Sequence, residues 1–299
     1  MATAERIAAE GLTTVARSEW RMAWARLRRN RGAMAGGVIL VLMALVAILA
    51  DVLAREPLNA FDIPGALRPP LSAGHLLGTD DIGRDVFSRI VRGARISLRI
   101  GFTAVTIAAV AGTVIGLMAG YFGGWLDMAI SRVLDVMLAF PGLLLAIAIV
   151  ASLGPGLNNA MIALGVAGVP SYARVVRGTT LTARELGYVR AARATGMGDG
   201  RIMFRHVLPN VISPILIMAT LGLGTSIISA AGLSFLGLGA SPPEPEWGLE
   251  LSLSRNYLRT AWWISTFNGL ALAVTVLSIN LLGDGLREAL DPQASSWSK

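Results

Sequence analysis

The chain contains no cysteine. It therefore has no disulfide, no thiol nucleophile and no cysteine-ligated metal. Lysine occurs once, at Lys299. A nucleotide-binding P-loop needs a lysine at the β- and γ-phosphates inside a strand–loop–helix unit, and a lysine at the last position does not supply it. Only two histidines occur, His75 and His206. They stand far apart with no ligand partner at helical spacing, and each reads as an interfacial packing residue. No Gly-x-Ser-x-Gly elbow is present. The sequence thus offers no catalytic residue, no metal site and no cofactor site, and an enzyme acting alone is excluded.

Charge is scarce as well. Charged residues make up 15% of the chain and hydrophobic ones 54%, whereas soluble domains carry about 25% charged residues. Several apolar runs approach the roughly 20 residues that cross a bilayer as a helix. These features predict an all-α integral membrane protein. The net charge of +7 does not point to nucleic acid, because the basic residues flank apolar runs, where cytoplasmic retention accounts for them.

Six spans are expected. Residues 1–32 form a tail, in which 18–31 predict an interfacial helix with Trp20, Ala23, Trp24 and Leu27 on one face. Span one covers about 33–54 and is too long for a cleaved signal peptide, so it is expected to remain as an anchor. Residues 55–95 form an extracytoplasmic segment too rich in proline for one long helix. Residues 96–287 form the core. Within it, spans two to six cover about 96–121, 131–153, 157–176, 207–236 and 262–282. Residues 288–299 form a second tail.

Gly112, Gly116 and Gly120 repeat every fourth residue in span two, where close helix approach is expected. Pro141 is expected to kink span three. Residues 241–247 read as a turn-rich, non-helical patch. With six spans both termini share a side. Placing them in the cytoplasm puts 17 basic residues inside against nine outside, as the positive-inside rule prefers. The crowd at Arg84, Arg89, Arg92, Arg95 and Arg99 runs against that bias. Asp80, Asp81 and Asp85 beside it suggest a folded interfacial helix with internal ion pairs, the alternative being a re-entrant or cytoplasmic placement.

Few ionisable groups fall inside the spans. Asp135 and Arg174 are the main ones; Asp135 is expected to snorkel to the interface or pair with Arg132, the alternative being a role in a transport pathway. A secondary carrier or channel would be expected to show more such groups and an internal repeat. It remains the alternative function, beside a purely structural subunit.

The most informative stretch is 188–210, a polar, arginine-rich, glycine-broken segment between spans four and five. Residues 182–195 predict a helix with Glu185 in its first turn and Arg190 and Arg193 in its last, as the helix dipole favours. Ala191, Ala192 and Ala194 keep its second half narrow, and Gly196 ends it. A second short helix from Asp199 leads to span five at Pro209. The result is a rigid knob held at both ends by spans, able to pass a rigid-body push to them.

This loop, about 177–206, resembles the "EAA" motif of ABC importer permeases, with Ala191, Ala192, Gly196, Ile202, Leu208 and Pro209 at the matching positions. Residues 77–85 (LGTDDIGRD), 119–125 (AGYFGGW), 233–239 (LSFLGLG) and 280–287 (NLLGDGLR) extend the resemblance to the dipeptide/oligopeptide/nickel permease family, C-type subunit. It runs from about Arg26 to Pro292. Arg190 stands where the motif has Glu, and Gly187 precedes Tyr188 where an acidic residue is common.

The resemblance implies a type I ABC importer permease fold with a cytoplasmic coupling helix. It implies coupling to an ATPase through Glu185, Tyr188, Arg190, Ala191, Ala192, Arg193, Gly196, Ile202, Leu208 and Pro209. It also implies a location in a bacterial or archaeal cell membrane. The implied partners are a second permease subunit, two cytoplasmic ATPases that bind ATP and Mg, an extracytoplasmic solute-binding protein, and membrane lipid. Importers of peptides, nickel chelates, glutathione and related solutes share these features, and the sequence does not choose among them.

Overall fold

The computed structural model describes residues 21–290. Trp20 and the tail beyond Leu290 lie outside them. Twelve α-helices follow in order: α1 (21–29), α2 (Arg31–Ile48), α3 (Ala50–Leu53), α4 (Val86–Phe122), α5 (Gly124–Leu138), α6 (Gly142–Leu153), α7 (Leu157–Ala183), α8 (Gly187–Ala194), α9 (Asp199–Ile202), α10 (Leu208–Phe235), α11 (Trp247–Ser254) and α12 (Trp262–Leu290). A π-helical turn, Met203–Val207, joins α9 to α10.

Five stretches are long and apolar enough to cross a membrane, and α5 with α6 makes the sixth as a broken crossing. Chain order and contacts alternate the crossings. Asn30 Nδ2 donates to Glu288 at 2.8 Å, joining the start of α2 to the end of α12. At the opposite end, Arg95 Nε donates to the Ala47 carbonyl at 2.9 Å. Both ends of the described chain therefore lie at the end of the bundle that carries α8.

The helix starts follow local chemistry. Asp85 caps α4 by accepting from Ser88 N at 2.8 Å and Ser88 Oγ at 2.7 Å, and Glu246 caps α11 by accepting from the Gly248 and Leu249 amides, both at 2.9 Å. Such contacts satisfy amide donors that a helix start otherwise leaves orphaned.

Three elements differ from the sequence reading. First, α4 begins at Val86 and not near residue 96; its 37 residues reach about 55 Å and outrun the roughly 30 Å hydrocarbon core. Its projecting part holds four of the five crowded arginines, three of which have distant partners: Arg89 with Glu250, Arg95 with Asp51, and Arg92 Nη1 on the Glu56 carbonyl at 2.5 Å. Of the neighbouring aspartates only Asp80 forms an ion pair with this crowd, with Arg84.

Second, residues 131–153 are not one kinked helix. The segment starts earlier, at Gly124, and α5 and α6 meet at 93°. Pro141 caps α6; it brings no amide donor and disfavours helical backbone at the residue before it. Pro170, by contrast, sits inside an unbroken α7. Third, the patch expected to be non-helical is so at 241–246, but the connection after α10 goes on into a helix that the sequence reading did not place. It contains α11, whose Trp247 is fully buried and donates from Nε1 to the Ile90 carbonyl at 3.1 Å.

Helices α4 and α7 pack most closely. A Cβ placed on Gly112 would stand 2.5 Å from Tyr172 Cβ; one on Gly116, 2.5 Å from the Ala173 carbonyl oxygen; and one on Gly120, 2.7 Å from Thr180 Cβ. The three glycines thus form one seam along α7, where backbone meets backbone without side chains between. The seam ends where the α8 loop begins.

Candidate functional site

The loop between α7 and α10 is a folded unit. The sequence reading of a single helix over 182–195 is corrected. Helix α7 continues to Ala183, a turn occupies 184–186, and α8 covers Gly187–Ala194. Glu185 therefore lies in the turn before α8, not in its first turn. Its carboxylate accepts from Arg184 Nε at 3.3 Å. The break has a cause in Arg184, whose Nη1 donates to the Gly120 and Tyr121 carbonyls at 2.8 and 3.4 Å. A cation there satisfies the carbonyls at the end of α4 and suits the negative end of its dipole.

The far end of α8 closes with a two-bond cap. The Met197 amide donates to the Ala192 carbonyl at 3.2 Å and the Gly196 amide to the Arg193 carbonyl at 3.0 Å. Gly196 has φ +79°, the left-handed conformation that this cap requires. Nothing lies within 4 Å of where its Cβ would be, so backbone conformation, not crowding, selects glycine there.

The faces of α8 are sharply different. Val189 and Ala192 point inward and join a core with Leu117 and Tyr121 of α4, Val176 and Ala183 of α7, Ile202 of α9, and Val207 and Val211. Leu208 packs against the same core. Tyr188, Arg190, Ala191, Ala194 and Gly196 are exposed, as are Arg193 and Pro209. Ala192 and Ile202 thus anchor the knob and are withdrawn from its outer surface. Arg190 makes no ion pair among the described residues.

Polar contacts add to this anchorage. Tyr121 Oη donates to Asp199 Oδ1 at 2.6 Å, and the Arg193 guanidinium lies 5.3 Å from the Tyr121 ring centroid, within reach of a cation–π interaction. Asn210 Nδ2 donates to Tyr188 Oη at 2.7 Å, fastening the first turn of α8 to α10. Sequence reasoning gave no anchoring contact to Tyr121, Arg184, Val189, Asp199 or Asn210. Val189 and Ala192 carried a usable signal, being three residues apart on one helix face; the partners of the others are distant in sequence and left none.

The two histidines are placed apart. His75 Nδ1 lies 3.1 Å from Asp85 Oδ1 in the segment before α4, and the His206 ring lies against Tyr188. Asp135 pairs with Arg174 at 2.6 Å, not with Arg132.

Comparison with known proteins agrees with this geometry. Residues 112–296 match the family model described as "Binding-protein-dependent transport system inner membrane component", and residues 18–70 match "N-terminal TM domain of oligopeptide transport permease C". The chain is 50% identical over 279 residues to the dipeptide transport system permease protein DppC of Alkalihalophilus pseudofirmus, covering 93% of this chain and 91% of that one. It is 46% identical over 281 residues to the glutathione transport system permease protein GsiD of Pectobacterium atrosepticum, covering 94% and 93%.

The fold is also similar to the MetNI methionine ABC transporter in an inward-facing conformation, with TM-score 0.54 at 21% identity, covering 67% of this chain and 96% of that one. With the α8 loop inside the matched region and half of all positions shared with a permease over nearly the full length, the chain belongs to the binding-protein-dependent transport-system inner membrane components, the permease subunits of ABC importers.

Proposed function

We propose that this chain forms half of a translocation pathway for di- or oligopeptides, or a related small solute such as glutathione. In this reading it pairs with a second, related permease subunit. Two ATPases dock beneath the α8 loops, bind ATP and Mg, and drive the cavity between inward-open and outward-open states. A solute-binding protein delivers cargo to the opposite end, where 55–85 and the exposed turn Ser241 to Pro243 form the docking surface; Trp247, expected from sequence to share in it, is buried and does not. Both termini lie in the cytoplasm with α8.

One observation carries the coupling role. The exposed face of α8 is short and sets Gly187, Ala191 and Ala194 among Tyr188, Arg190 and Arg193, while its inner face is fused to the ends of α4, α7 and α10 through a single core. A push on that face moves three membrane helices together, which is the mechanical requirement for a rigid-body switch. The substrate class is supported by the relatives named for dipeptide and glutathione transport.

The test is uptake in cells whose partner ATPases lack their Walker lysines. Loss of uptake is expected. Persisting uptake would overturn the coupled reading in favour of an ATP-independent carrier or channel.

A further inference from the structure

Two ion pairs between α5 and α7 take no part in the α8 anchorage. Arg177 grips Asp127 through Nε and Nη2, the second contact at 2.7 Å to Oδ2. Arg174 Nη2 donates to Asp135 Oδ1 at 2.6 Å. Ser131 Oγ donates to Asp127 Oδ1 at 3.3 Å. These side chains and Arg132 line two adjoining open grooves of about 330 and 300 Å³.

Their depth is unusual. Gly116 of α4 abuts the Ala173 carbonyl, so the neighbouring Arg174 lies level with Gly116. That level is six residues from Phe122, about 9 Å along the axis, inside a stretch of α4 (100–122) that has no charged residue. Yet the Asp135 and Arg174 side chains are each 57% exposed. Charged groups at such depth are costly in lipid and are found facing water or protein. The α5–α7 face is therefore not a lipid face. Its charge is unbalanced too: three arginines stand against two aspartates, and Arg132 makes no ion pair among the described residues.

We propose that this open groove is a water-filled site on the transport path that receives the free carboxylate of a passing solute, with Arg132 as its first contact. Arg174 and Arg177, already held by aspartates, supply positive potential while the net charge stays low enough for release. The proposal rests on the permease reading above and adds a recognition group within the path.

The chain has no cysteine, so single cysteines can be introduced cleanly into the assembled transporter with cysteine-free partners. Ser131→Cys and, as a second variant, Met128→Cys would be reacted in membrane vesicles with an anionic sulfonatoethyl and a cationic trimethylammonioethyl thiosulfonate. Ser298→Cys in the tail serves as the reference for side and intrinsic reactivity. Normalised to that reference, the anionic reagent is expected to be favoured on the order of tenfold, the effect of a nearby unit charge in a partly hydrated site. Arg132→Gln should bring the ratio near one. Millimolar dialanine should slow the anionic reagent while alanyl-alaninamide does not.

No reaction at Ser131→Cys and Met128→Cys while Ser298→Cys reacts would mean that lipid or a partner covers the face, and would overturn the proposal. So would an unchanged ratio in Arg132→Gln, or equal protection by both peptides or by neither. ATP-dependent uptake measured in the same vesicles distinguishes these failures from failure of the permease reading.

Discussion

Tyr121 and Asp199 are joined by a 2.6 Å hydrogen bond across 78 positions of sequence. It ties the last turn of α4, at the end of the glycine seam, to the first turn of α9, beyond the α8 cap. An intramolecular hydrogen bond contributes about 0.5–1.5 kcal/mol net. Tyr121→Phe keeps the ring in the shared core but removes the tie. Insertion and assembly should be normal, while uptake per ATP hydrolysed falls several-fold. Parallel uptake and ATPase measurements on reconstituted transporter check this; an unchanged ratio would show that the apolar core alone couples the loop.

The two faces of α8 predict different crosslinks. Ala191 is exposed and Ala192 is 8% exposed, in the core. A cysteine at Ala191 should be trapped by a short bifunctional reagent with a cysteine scanned along the ATPase surface, and one at Ala192 should not. Crosslinking at Ala192 with none at Ala191 would mean that α8 docks by its other face.

Two kinds of glycine should respond differently. At Gly116 a Cβ would meet the Ala173 carbonyl oxygen at 2.5 Å, so Gly116→Val forces α4 and α7 apart. Overpacking of this kind costs about 1–3 kcal/mol or more and should appear as a lower Tm and reduced assembly. Gly196→Ala meets open space and bears only the cost of a left-handed alanine, about 1–2 kcal/mol. It should lower Tm less than Gly116→Val does, leave insertion intact and impair uptake through the shape of the cap. Equal thermal destabilisation by both variants would contradict this division.

The Arg89–Glu250 pair predicts a pH effect. Burial pushes the Glu250 carboxyl above the ordinary carboxylate range, and the hydrogen bond and charge of Arg89 oppose that rise. A carboxyl raised in the folded state contributes stability that is fully present below its unfolded pKa and lost as pH rises through the folded value. Arg89→Gln removes the opposing charge and leaves a buried carboxylate, a change that costs about 3–5 kcal/mol. Its Tm should drop near pH 8 and recover towards wild type near pH 5. Arg89→Met with Glu250→Leu should regain most of the loss at both pH values. A pH-independent deficit in Arg89→Gln would show that packing, not charge, is at stake.

The sequence by itself determined the membrane class, the existence and order of the crossings, the α8–α9 loop with Gly196 as its stop, and the family. These are local or compositional properties: run length, helix-breaking residues and contiguous motifs survive without knowledge of what touches what. Proline was legible only in part. Pro141 divides two helices and Pro170 interrupts nothing, because the cost of a missing backbone bond depends on what surrounds the break.

Tertiary structure alone decided the partners of the charged residues. Arg89 finds Glu250 161 positions away, and Asp135 finds Arg174 on another helix rather than its neighbour Arg132. It also decided that Ala191 faces out while Ala192 faces in. Where apolar surface is removed from water or lipid, burial is set by the helices that pack against it. A sequence gives the periodicity of a face but not the direction in which that face is turned.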